Sequence, residues 1–433
     1  MLVLGAIASG CQAALAASLP VIFPYFLEGM GDAFPEVRAI SCWVQSRYCS
    51  WLISIVREGE DGDGNGIFKS MLHRLNLSLL DSSPKVQSSC CAAISTVLEA
   101  TDPKLTLPYI ESILEQLRQA YDSRLYGFKN RLLLMDLIGH IAEMFGPRQS
   151  RNLVTSLLTT FVPIVMPYFL HSDPDEAALA CSMECLQAFC AGYGTAMRPY
   201  APEIFSRALM ILKTTLDAHD CVKAEALAEG IEFDLPPVDN VRASLELLSS
   251  LFGGLGAEVV AVLPIVHPRG EERTFEKTAV GNSLINLLSR SFSYQHDQLR
   301  SAALMVTGDL LKCAPLFLLP HFTETVLHTV YLTFHECEEV HDENTDLLVN
   351  ACWCLGLISI ACGSLPHTHG QQQLKLAEEE KTKLLKHLPR LLTSLGDFMA
   401  KAQEEDHPHT LRTNLASAFG RLALLCPEEV SLY

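Results

Sequence analysis

Residues 83–110 read SPKVQSSCCAAISTVLEATDPKLTLPYI and contain a pattern that recurs along the chain. A polar turn with Pro84 leads into a segment rich in Ala, Cys and Leu, and a second segment then opens with Leu107-Pro108-Tyr109. Proline fits the first turn of a helix, where its missing N–H would have no partner anyway. Apolar residues recur at i, i+3, i+4 and i+7, which is the period of an amphipathic α-helix. The stretch therefore predicts two packed helices in each repeat of the pattern.

The same order of segments returns along the sequence. Proline followed by an aromatic residue opens further first helices at Pro24-Tyr25 and Pro199-Tyr200. Second helices are predicted to begin near residues 35, 84, 127, 173, 240, 297, 343 and 409. Two helices in a repeat of about 43 to 50 residues are typical of HEAT repeats, which bury their apolar faces by stacking on neighbouring repeats.

The repeats predict an all-α fold, a HEAT-repeat superhelical solenoid of stacked antiparallel helix pairs. We expect a single array of about eight pairs, because the pattern continues from end to end; it would occupy residues 1–433. Polar or glycine-rich stretches predict loop insertions near residues 57–66, 218–239 and 364–381.

Charge and composition restrict the classes of partner. The 433 residues include 32 basic and 50 acidic side chains, which gives a net charge of −18. A nucleic-acid backbone is bound by clustered Lys and Arg, so we expect no direct nucleic-acid partner. An acidic surface favours basic partners such as Lys- and Arg-rich peptides. Apolar residues make up 49% of the chain, which is enough for a large core.

The fifteen cysteines indicate a reducing compartment. Most lie in apolar runs where a helical period would bury them, as at Cys90, Cys91, Cys181, Cys185 and Cys190. A buried free thiol acts as a small apolar side chain, so we expect free cysteines in a cytosolic or nuclear protein.

The N-terminal stretch has no charged residue before Glu28. It lacks the basic residues of a signal peptide, and Pro20 and Pro24 interrupt its apolar run. We therefore expect a buried helix there, with neither a targeting segment nor membrane insertion.

Catalytic and cofactor motifs are missing from the sequence. It has no phosphate-binding loop, no G-x-S-x-G nucleophile elbow and no H-E-x-x-H zinc motif, so we expect no enzyme activity and no cofactor. Two histidine pairs, His367/His369 and His407/His409, have no companion cysteine, and zinc would need further ligands. We expect no metal site.

Two of the three tryptophans fall in predicted second helices. Ile40, Trp43 and Arg47 lie at i, i+3 and i+7 and therefore share one helix face. Trp353 lies among small residues that leave it room to project. Exposed Trp and Arg are common in binding hot spots. Periodicity alone fits an aromatic core residue equally well, so both interpretations stay open at this point.

At these residues the sequence resembles the transportins, nuclear import receptors of the importin-beta (karyopherin) family. The resemblance runs essentially from end to end, and its most specific blocks are Cys42-Trp43, Ser46-Arg47-Tyr48, Gly308-Asp309-Leu310 and Asn350-Ala351-Cys352-Trp353. It implies that the chain corresponds to the C-terminal, cargo-binding half. The implied partners are cargo proteins with basic or Pro-Tyr nuclear localisation signals, nucleoporins, and Ran·GTP bound through an N-terminal half absent from this chain. The implied location is cytoplasm and nucleus.

The resemblance also implies a site for the cargo signal on the concave, second-helix side. The Pro-Tyr end of the signal would be held by Ile40, Trp43 and Arg47. The same site would continue on the next two repeats through Thr96, Glu99 and Asp136. The basic or hydrophobic N-terminal part of the signal would be received by Glu246, Asp309 and Trp353. Carboxylates pair with Lys and Arg, and Trp faces stack on aliphatic and aromatic groups.

Three positions depart from the family pattern. Ser88 and Gly253 stand where the family has an acidic residue, and His140 stands where it has Thr. Loss of two carboxylates would weaken or retune the binding of basic signals, as in a diverged paralogue with altered cargo. The fold also fits a second function, a HEAT-repeat scaffold for protein assembly without import activity.

A calcium titration tests the resemblance of residues 61–72 to an EF-hand loop. Asp61, Asp63 and Asn65 match the first half of that loop, but Leu72 stands where a bidentate Glu is required. We therefore expect calcium to bind more weakly than about 1 mM and to leave the melting temperature unchanged. Micromolar binding in calorimetry that is lost in Asp61→Ala would contradict this expectation.

Overall fold

The structure is a computed structural model that describes residues 1–58, 63–146, 151–174, 176–229, 238–263, 279–294, 296–337, 342–363, 371–404 and 408–431. Over these ranges the secondary structure is helical, and no β-strand occurs in them. The predicted all-α class is therefore confirmed. The chain divides into two compact units, Met1–Tyr193 and Gly194–Tyr433.

The first unit contains eleven helices in its described residues. In chain order they are α1 Leu2–Leu15, α2 Leu19–Gly29, α3 Pro35–Arg47, α4 Cys49–Glu58, α5 Asp63–Ser78, α6 Pro84–Ala100, α7 Pro103–Asp122, α8 Phe128–Met144, α9 Arg151–Thr160, α10 Val162–His171 and α11 Ala177–Tyr193.

The second unit contains ten α-helices and two short 3-10 turns, Gly194–Met197 and Gly256–Glu258, in its described residues. The α-helices are α12 Ala201–Glu229, α13 Asp239–Leu255, α14 Val259–Val262, α15 Ala279–Phe292, α16 Asp297–Cys313, α17 Pro315–Glu336, α18 Asp342–Gly363, α19 Gln371–Glu404, α20 His409–Leu425 and α21 Pro427–Val430.

The starts of the second helices agree with the sequence pattern. The helices α3, α6, α8, α11, α13, α16, α18 and α20 begin at or near the predicted residues. The largest difference is at α11, which is predicted near residue 173 and begins at Ala177. Proline in the first turn of α3 and α6 explains why these two starts are well marked.

Parts of the segments predicted as loop insertions are helical in the structure. Helix α5 already begins at Asp63, α12 continues to Glu229, and α19 begins at Gln371. The stretches in which α12 ends and α19 begins are polar but rich in Ala, Leu, Lys, Gln and Glu, which are strong helix formers. Residues 59–62, 230–237 and 364–370 lie outside the described residues.

Second helices pack on one another in sequence order inside each unit. In the first unit α1, α3, α6, α8 and α11 form this series, and in the second unit α13, α16, α18 and α20 do. From α3 onward, each second helix also packs against the first helix that precedes it, as α3 does with α2 and α13 with α12. The core lies between these layers and is mainly aliphatic, with Leu, Ile, Val and Ala fully buried.

Three tyrosines connect consecutive repeats of the first unit. Tyr48 directly follows α3, Tyr126 lies in the turn before α8, and Tyr193 ends α11. The hydroxyl of Tyr48 donates a hydrogen bond of 2.6 Å to the Leu4 carbonyl, and Tyr126 donates one of 2.6 Å to the Leu79 carbonyl. Tyr193 donates in the same way to Phe145, at 2.8 Å. Burial raises the pKa of all three phenols, which keeps them protonated as donors.

An ion pair also joins the first turn of α3 to the turn before α6. The Arg38 guanidinium binds the Asp81 carboxylate through two nitrogens, with Nε 2.8 Å from Oδ2 and Nη2 2.9 Å from Oδ1. Burial raises the pKa of Asp81, but the hydrogen bonds from Arg38 and from the Ser83 N–H outweigh this effect and lower it overall. Asp81 is therefore charged at neutral pH and holds the turn before α6 against the start of α3.

All fifteen cysteines are free thiols. Cys90, Cys91, Cys185 and Cys190 are buried as predicted, whereas Cys181 is partly exposed. Burial raises the pKa of Cys91 and Cys190 to about 12. Since the thiolate is the reactive form, these side chains act as small core residues.

Three helical segments are long and apolar enough, by length and composition, to cross a membrane: Leu153–His171, Asp239–Val262 and Asn344–Gly363. In the last of these, 67% of the most apolar stretch of 18 residues is buried inside the protein. Its Leu347, Leu355 and Ile358 are core residues of α18. These apolar side chains therefore pack against neighbouring helices of the protein.

Replacement of Tyr126 by Phe tests the tyrosine hydrogen bonds. The variant leaves the buried Leu79 carbonyl without its donor, so we expect a loss of about 1 to 2 kcal/mol in the free energy of unfolding. Tyr25→Phe is the matched control, because Tyr25 is 62% exposed. Urea denaturation followed by circular dichroism measures both variants, and equal midpoints for them would contradict the assigned role.

Candidate functional site

The three predicted residues of α3 share one accessible helix face. Arg47 is exposed, and Ile40 and Trp43 are partly exposed, whereas Val44 and Gln45 between them are buried. The three residues with the spacing i, i+3 and i+7 thus lie on one accessible face, as predicted. Trp43 is half-buried, so it combines the two interpretations that periodicity left open: it packs against the protein and still presents part of its surface.

The indole of Trp43 lies against Gly5 of α1. A Cβ built on Gly5 would lie 2.8 Å from Cη2 and 2.9 Å from Cε3 of Trp43, and closer still to Cζ3. Carbon atoms in normal contact are about 3.5 to 4.0 Å apart, so only glycine fits here. The hydrogen bond from Tyr48 to Leu4, the neighbour of Gly5, holds α1 against α3 at this point.

The predicted residues of α6 and α8 are exposed on consecutive second helices. They are Thr96 and Glu99 on α6 and Asp136 on α8. Glu99 contacts His140, whose Nε2 lies 3.4 Å from Oε1 of Glu99 and whose Nδ1 lies 3.2 Å from Oγ of Ser95. The departure from the family pattern at His140 therefore places an imidazole against one of the predicted carboxylates.

The predicted residues of the second unit lie on three consecutive second helices. Glu246 on α13, Asp309 on α16 and Trp353 on α18 are all partly exposed. Glu246 is paired with Arg242, one turn earlier on the same helix, at 3.5 Å. The indole of Trp353 lies against Gly308, where an added Cβ would be 2.9 Å from Cη2 and closer still to Cζ3 and Cε3.

Asp309 is held by α13. The Ser249 hydroxyl donates a short hydrogen bond to Oδ2 of Asp309, and a Cβ on Gly253 would lie at an ordinary 3.5 Å from Oδ1. Burial raises the pKa of Asp309 above its ordinary value of 3.8, while the Ser249 hydrogen bond and the charge of Lys312 oppose this rise. Gly253 carries no carboxylate. An acidic residue at this position would raise the pKa of Asp309 further.

Sequence reasoning missed several residues that contact the predicted site. The spacing i, i+4 of Arg242 and Glu246 could have revealed their pairing, since such residues are neighbours on a helix. No comparable signal exists for the contacts of Ser249 with Asp309 or of the glycines with the tryptophans. These contacts depend on the register between helices that are far apart in sequence.

Histidines and acidic residues do not assemble a metal site in the part of the chain that the structure describes. His409 begins α20, whereas His367, His369 and His407 lie outside the described residues. Of the first half of the EF-hand-like segment, Asp61 lies outside them, and Leu72 is 2% exposed in the core of α5.

Comparisons with known proteins agree with the resemblance seen in the sequence. No protein-family model matches the chain. Transportin-1 of Homo sapiens is 25% identical over 436 residues, which cover 100% of this chain and 41% of that protein. Importin subunit beta-2 of Schizosaccharomyces pombe is 30% identical over 316 residues, which cover 72% of this chain and 33% of that protein. The chain thus spans about two fifths of the length of Transportin-1, matching its C-terminal portion, and the predicted resemblance to the transportins is confirmed.

A solved structure of importin beta has the same fold. It superimposes with a TM-score of 0.62 at 16% identity and covers 98% of this chain and 50% of that one. At this identity the likeness concerns the fold alone, and it confirms the predicted solenoid of HEAT repeats.

Titration of stability against pH tests the environment of Asp309. Above pH 3.8 and up to its raised native pKa, the native protein binds more protons at Asp309 than the unfolded chain does. The free energy of unfolding therefore contains a component that falls as pH rises through this window. We expect Asp309→Asn to remove the component, so that the variant gains stability relative to the wild type as pH increases.

Urea midpoints measured between about pH 4 and pH 7 give this comparison. Ser249→Ala removes a hydrogen bond that lowers the pKa of Asp309, so its stability should fall more steeply with pH than that of the wild type. Parallel curves for the three proteins would show that Asp309 titrates as it does in the unfolded chain.

Proposed function

We propose that this relative of the transportins binds nuclear localisation signals of cargo proteins on the accessible faces of its second helices. It would act in a nuclear import receptor that shuttles between cytoplasm and nucleus, by binding and without catalysis. The observation that carries the proposal is the pair of half-buried tryptophans, Trp43 and Trp353, each on a second helix. The carboxylates of the site lie on the second helices that follow Trp43 and on those that precede Trp353. Similarity to Transportin-1 over the whole chain supports it.

In the first unit, the proposed ligand is the Pro-Tyr end of the signal. A rigid aromatic surface such as Trp43 contributes contact area at low entropic cost, and Ile40 extends this apolar surface. The exposed guanidinium of Arg47 supplies donors in a fixed planar geometry. Glu99 and Asp136 add negative charge on the two following second helices for Lys or Arg of the signal.

In the second unit, the proposed ligand is the basic or hydrophobic N-terminal part of the signal. Trp353 provides an apolar surface, and Glu246 and Asp309 provide carboxylates on the two preceding second helices. Both carboxylates have internal contacts, with Arg242 and Ser249. A basic signal would therefore exchange these contacts for new ones, whereas an apolar signal would leave them in place.

Further partners are proposed for the whole receptor. Ran·GTP would bind through the part of the transportins that this chain does not match, and nucleoporins would bind during passage through the nuclear pore. Neither a nucleic acid nor a membrane is a proposed partner, because the net charge of −18 disfavours the phosphate backbone and the surface of anionic lipids.

Peptide affinity tests the assignment of Trp43 and Asp309. Truncation of a well-packed hot-spot Trp costs about 2 kcal/mol or more, so Trp43→Ala should weaken binding of a basic peptide ending in Arg-x-x-Pro-Tyr at least roughly thirtyfold. Asp309→Ala should cost less, about 1 kcal/mol, because a partly solvated ion pair is screened. Higher salt should reduce the contribution of Asp309 more than that of Trp43.

The measurement is the affinity of the wild type and both variants at two ionic strengths, with a Tyr→Ala peptide as the ligand control. Tyr25→Ala, an exposed aromatic on the first helix α2, is the matched protein control and should bind as the wild type does. If Trp43→Ala keeps its affinity, or if the wild type does not bind the Pro-Tyr peptide, the assigned signal site is wrong and a scaffold function becomes the better hypothesis.

A further inference from the structure

We infer that Gly5 and Gly308 are positioning residues that fix the orientation of Trp43 and Trp353, the two aromatic residues assigned to signal binding. Each glycine lies on the second helix before the tryptophan and leaves a space that the indole fills. The link to binding rests on the proposed function, whereas the packing relation does not.

At Gly5 the indole of Trp43 lies directly against the backbone of α1. Three carbons of the six-membered ring of Trp43 would overlap with a Cβ at this position. A flexible side chain could move away from such an overlap, but the indole is a rigid plane that can turn about only two torsions. A methyl group at position 5 would therefore push the ring off α1 or push α1 away from α3. The second movement is opposed by the hydrogen bond from Tyr48 to Leu4.

The second unit repeats this arrangement with its own anchors. The Asn350 amide, about one turn before Trp353, donates to the Ser301 hydroxyl at 3.0 Å. The Cys354 thiol, directly after Trp353, donates to the Leu304 carbonyl at 2.9 Å. These contacts hold α18 against α16 close to Trp353, whose six-membered ring lies against Gly308.

Other helical glycines differ in what an added Cβ would meet. At Gly29, Gly356 and Gly363 the crowding atoms belong to flexible side chains, whereas at Gly5 and Gly308 they belong to a rigid indole. A Cβ on Gly10, also in α1, meets no atom within 4 Å, and the same holds for Gly420 in α20. At Gly139 of α8 the nearest atom, Cα of Cys185, is 3.4 Å away. Because alanine is a better helix former than glycine, Gly10→Ala and Gly420→Ala are expected to be neutral or stabilising, and they serve as matched controls.

The position of the indole decides which part of it a ligand meets. With its six-membered ring against the preceding helix, each tryptophan presents its remaining surface in one orientation, so a signal binds without first ordering that side chain. Preorganisation of this kind raises affinity because less side-chain entropy is lost on binding. A displaced indole would stay in the protein but would present a different surface.

Fluorescence of single-tryptophan proteins tests the positioning directly. Trp43 is observed alone in Trp51→Phe/Trp353→Phe, and Trp353 alone in Trp43→Phe/Trp51→Phe. We expect Gly5→Ala to move the emission of Trp43 to longer wavelength, because the ring loses its cover, and to leave the emission of Trp353 unchanged. Gly308→Ala should do the reverse, and the Gly10→Ala and Gly420→Ala controls should change neither.

A stability cycle tests whether the effect passes through the tryptophan. Gly5→Ala should lower the urea midpoint of the wild type but should leave unchanged or raise the midpoint of Trp43→Ala, where the overlap no longer exists. Rescue by Trp43→Ala would support the inference even if Gly5→Ala alone did not fold. Unchanged emission of Trp43 in Gly5→Ala, or an equal cost in both backgrounds, would overturn it.

Peptide binding then tests the consequence for the proposed function. Gly5→Ala should weaken binding of the Arg-x-x-Pro-Tyr peptide at least about tenfold, whereas Gly10→Ala should bind as the wild type does. If emission shifts but Gly5→Ala keeps full affinity, the orientation of Trp43 does not control binding. If the wild type itself does not bind the peptide, the proposed function fails while the emission result still stands.

Discussion

The close packing of each second helix on the one before it is the constraint on which the structure of each unit depends. A single pair of helices exposes an apolar face that only a neighbouring pair can cover, so the burial of one repeat is completed by the next. The same contact determines how near two backbones approach. At Gly5 and Gly308 the approach is close enough that the next helix can accommodate a tryptophan only where no Cβ is present.

Apolar packing alone would allow consecutive helices to slide, and polar contacts fix their register. Tyr48, Tyr126 and Tyr193 each donate to a carbonyl of the previous repeat, and Arg38 at the start of α3 donates to Asp81 in the turn before α6. Such bonds have defined lengths and directions, so they select one register among those that bury similar area. The accessible residues of neighbouring helices thus come to lie beside one another, as Glu99 and His140 do.

Much of the fold could be predicted from the sequence because its signals are local. Proline and polar turns mark the starts of α3 and α6, and the helical period assigns Ile40, Trp43 and Arg47 to one face. Polarity was a poor guide at the end of α12 and the start of α19, where helix propensity prevailed over a composition typical of loops. The contacts of Asp309 with Ser249 and of Trp43 with Gly5 join residues far apart in sequence. They follow from tertiary register, for which a single sequence carries no signal.

The electrostatics of the candidate site favour recognition by aromatic packing over recognition by charge. Glu99 contacts His140, Glu246 contacts Arg242, and Asp309 accepts from Ser249. A cationic ligand gains only the difference between its own contacts and those it replaces, and salt screens that difference at partly exposed sites. Burial of ligand surface on Trp43 or Trp353 displaces no such internal partner. In the proposed function, the net charge of −18 would act mainly at longer range, by attracting basic segments and raising their rate of encounter, while the tryptophans would determine how long they stay bound.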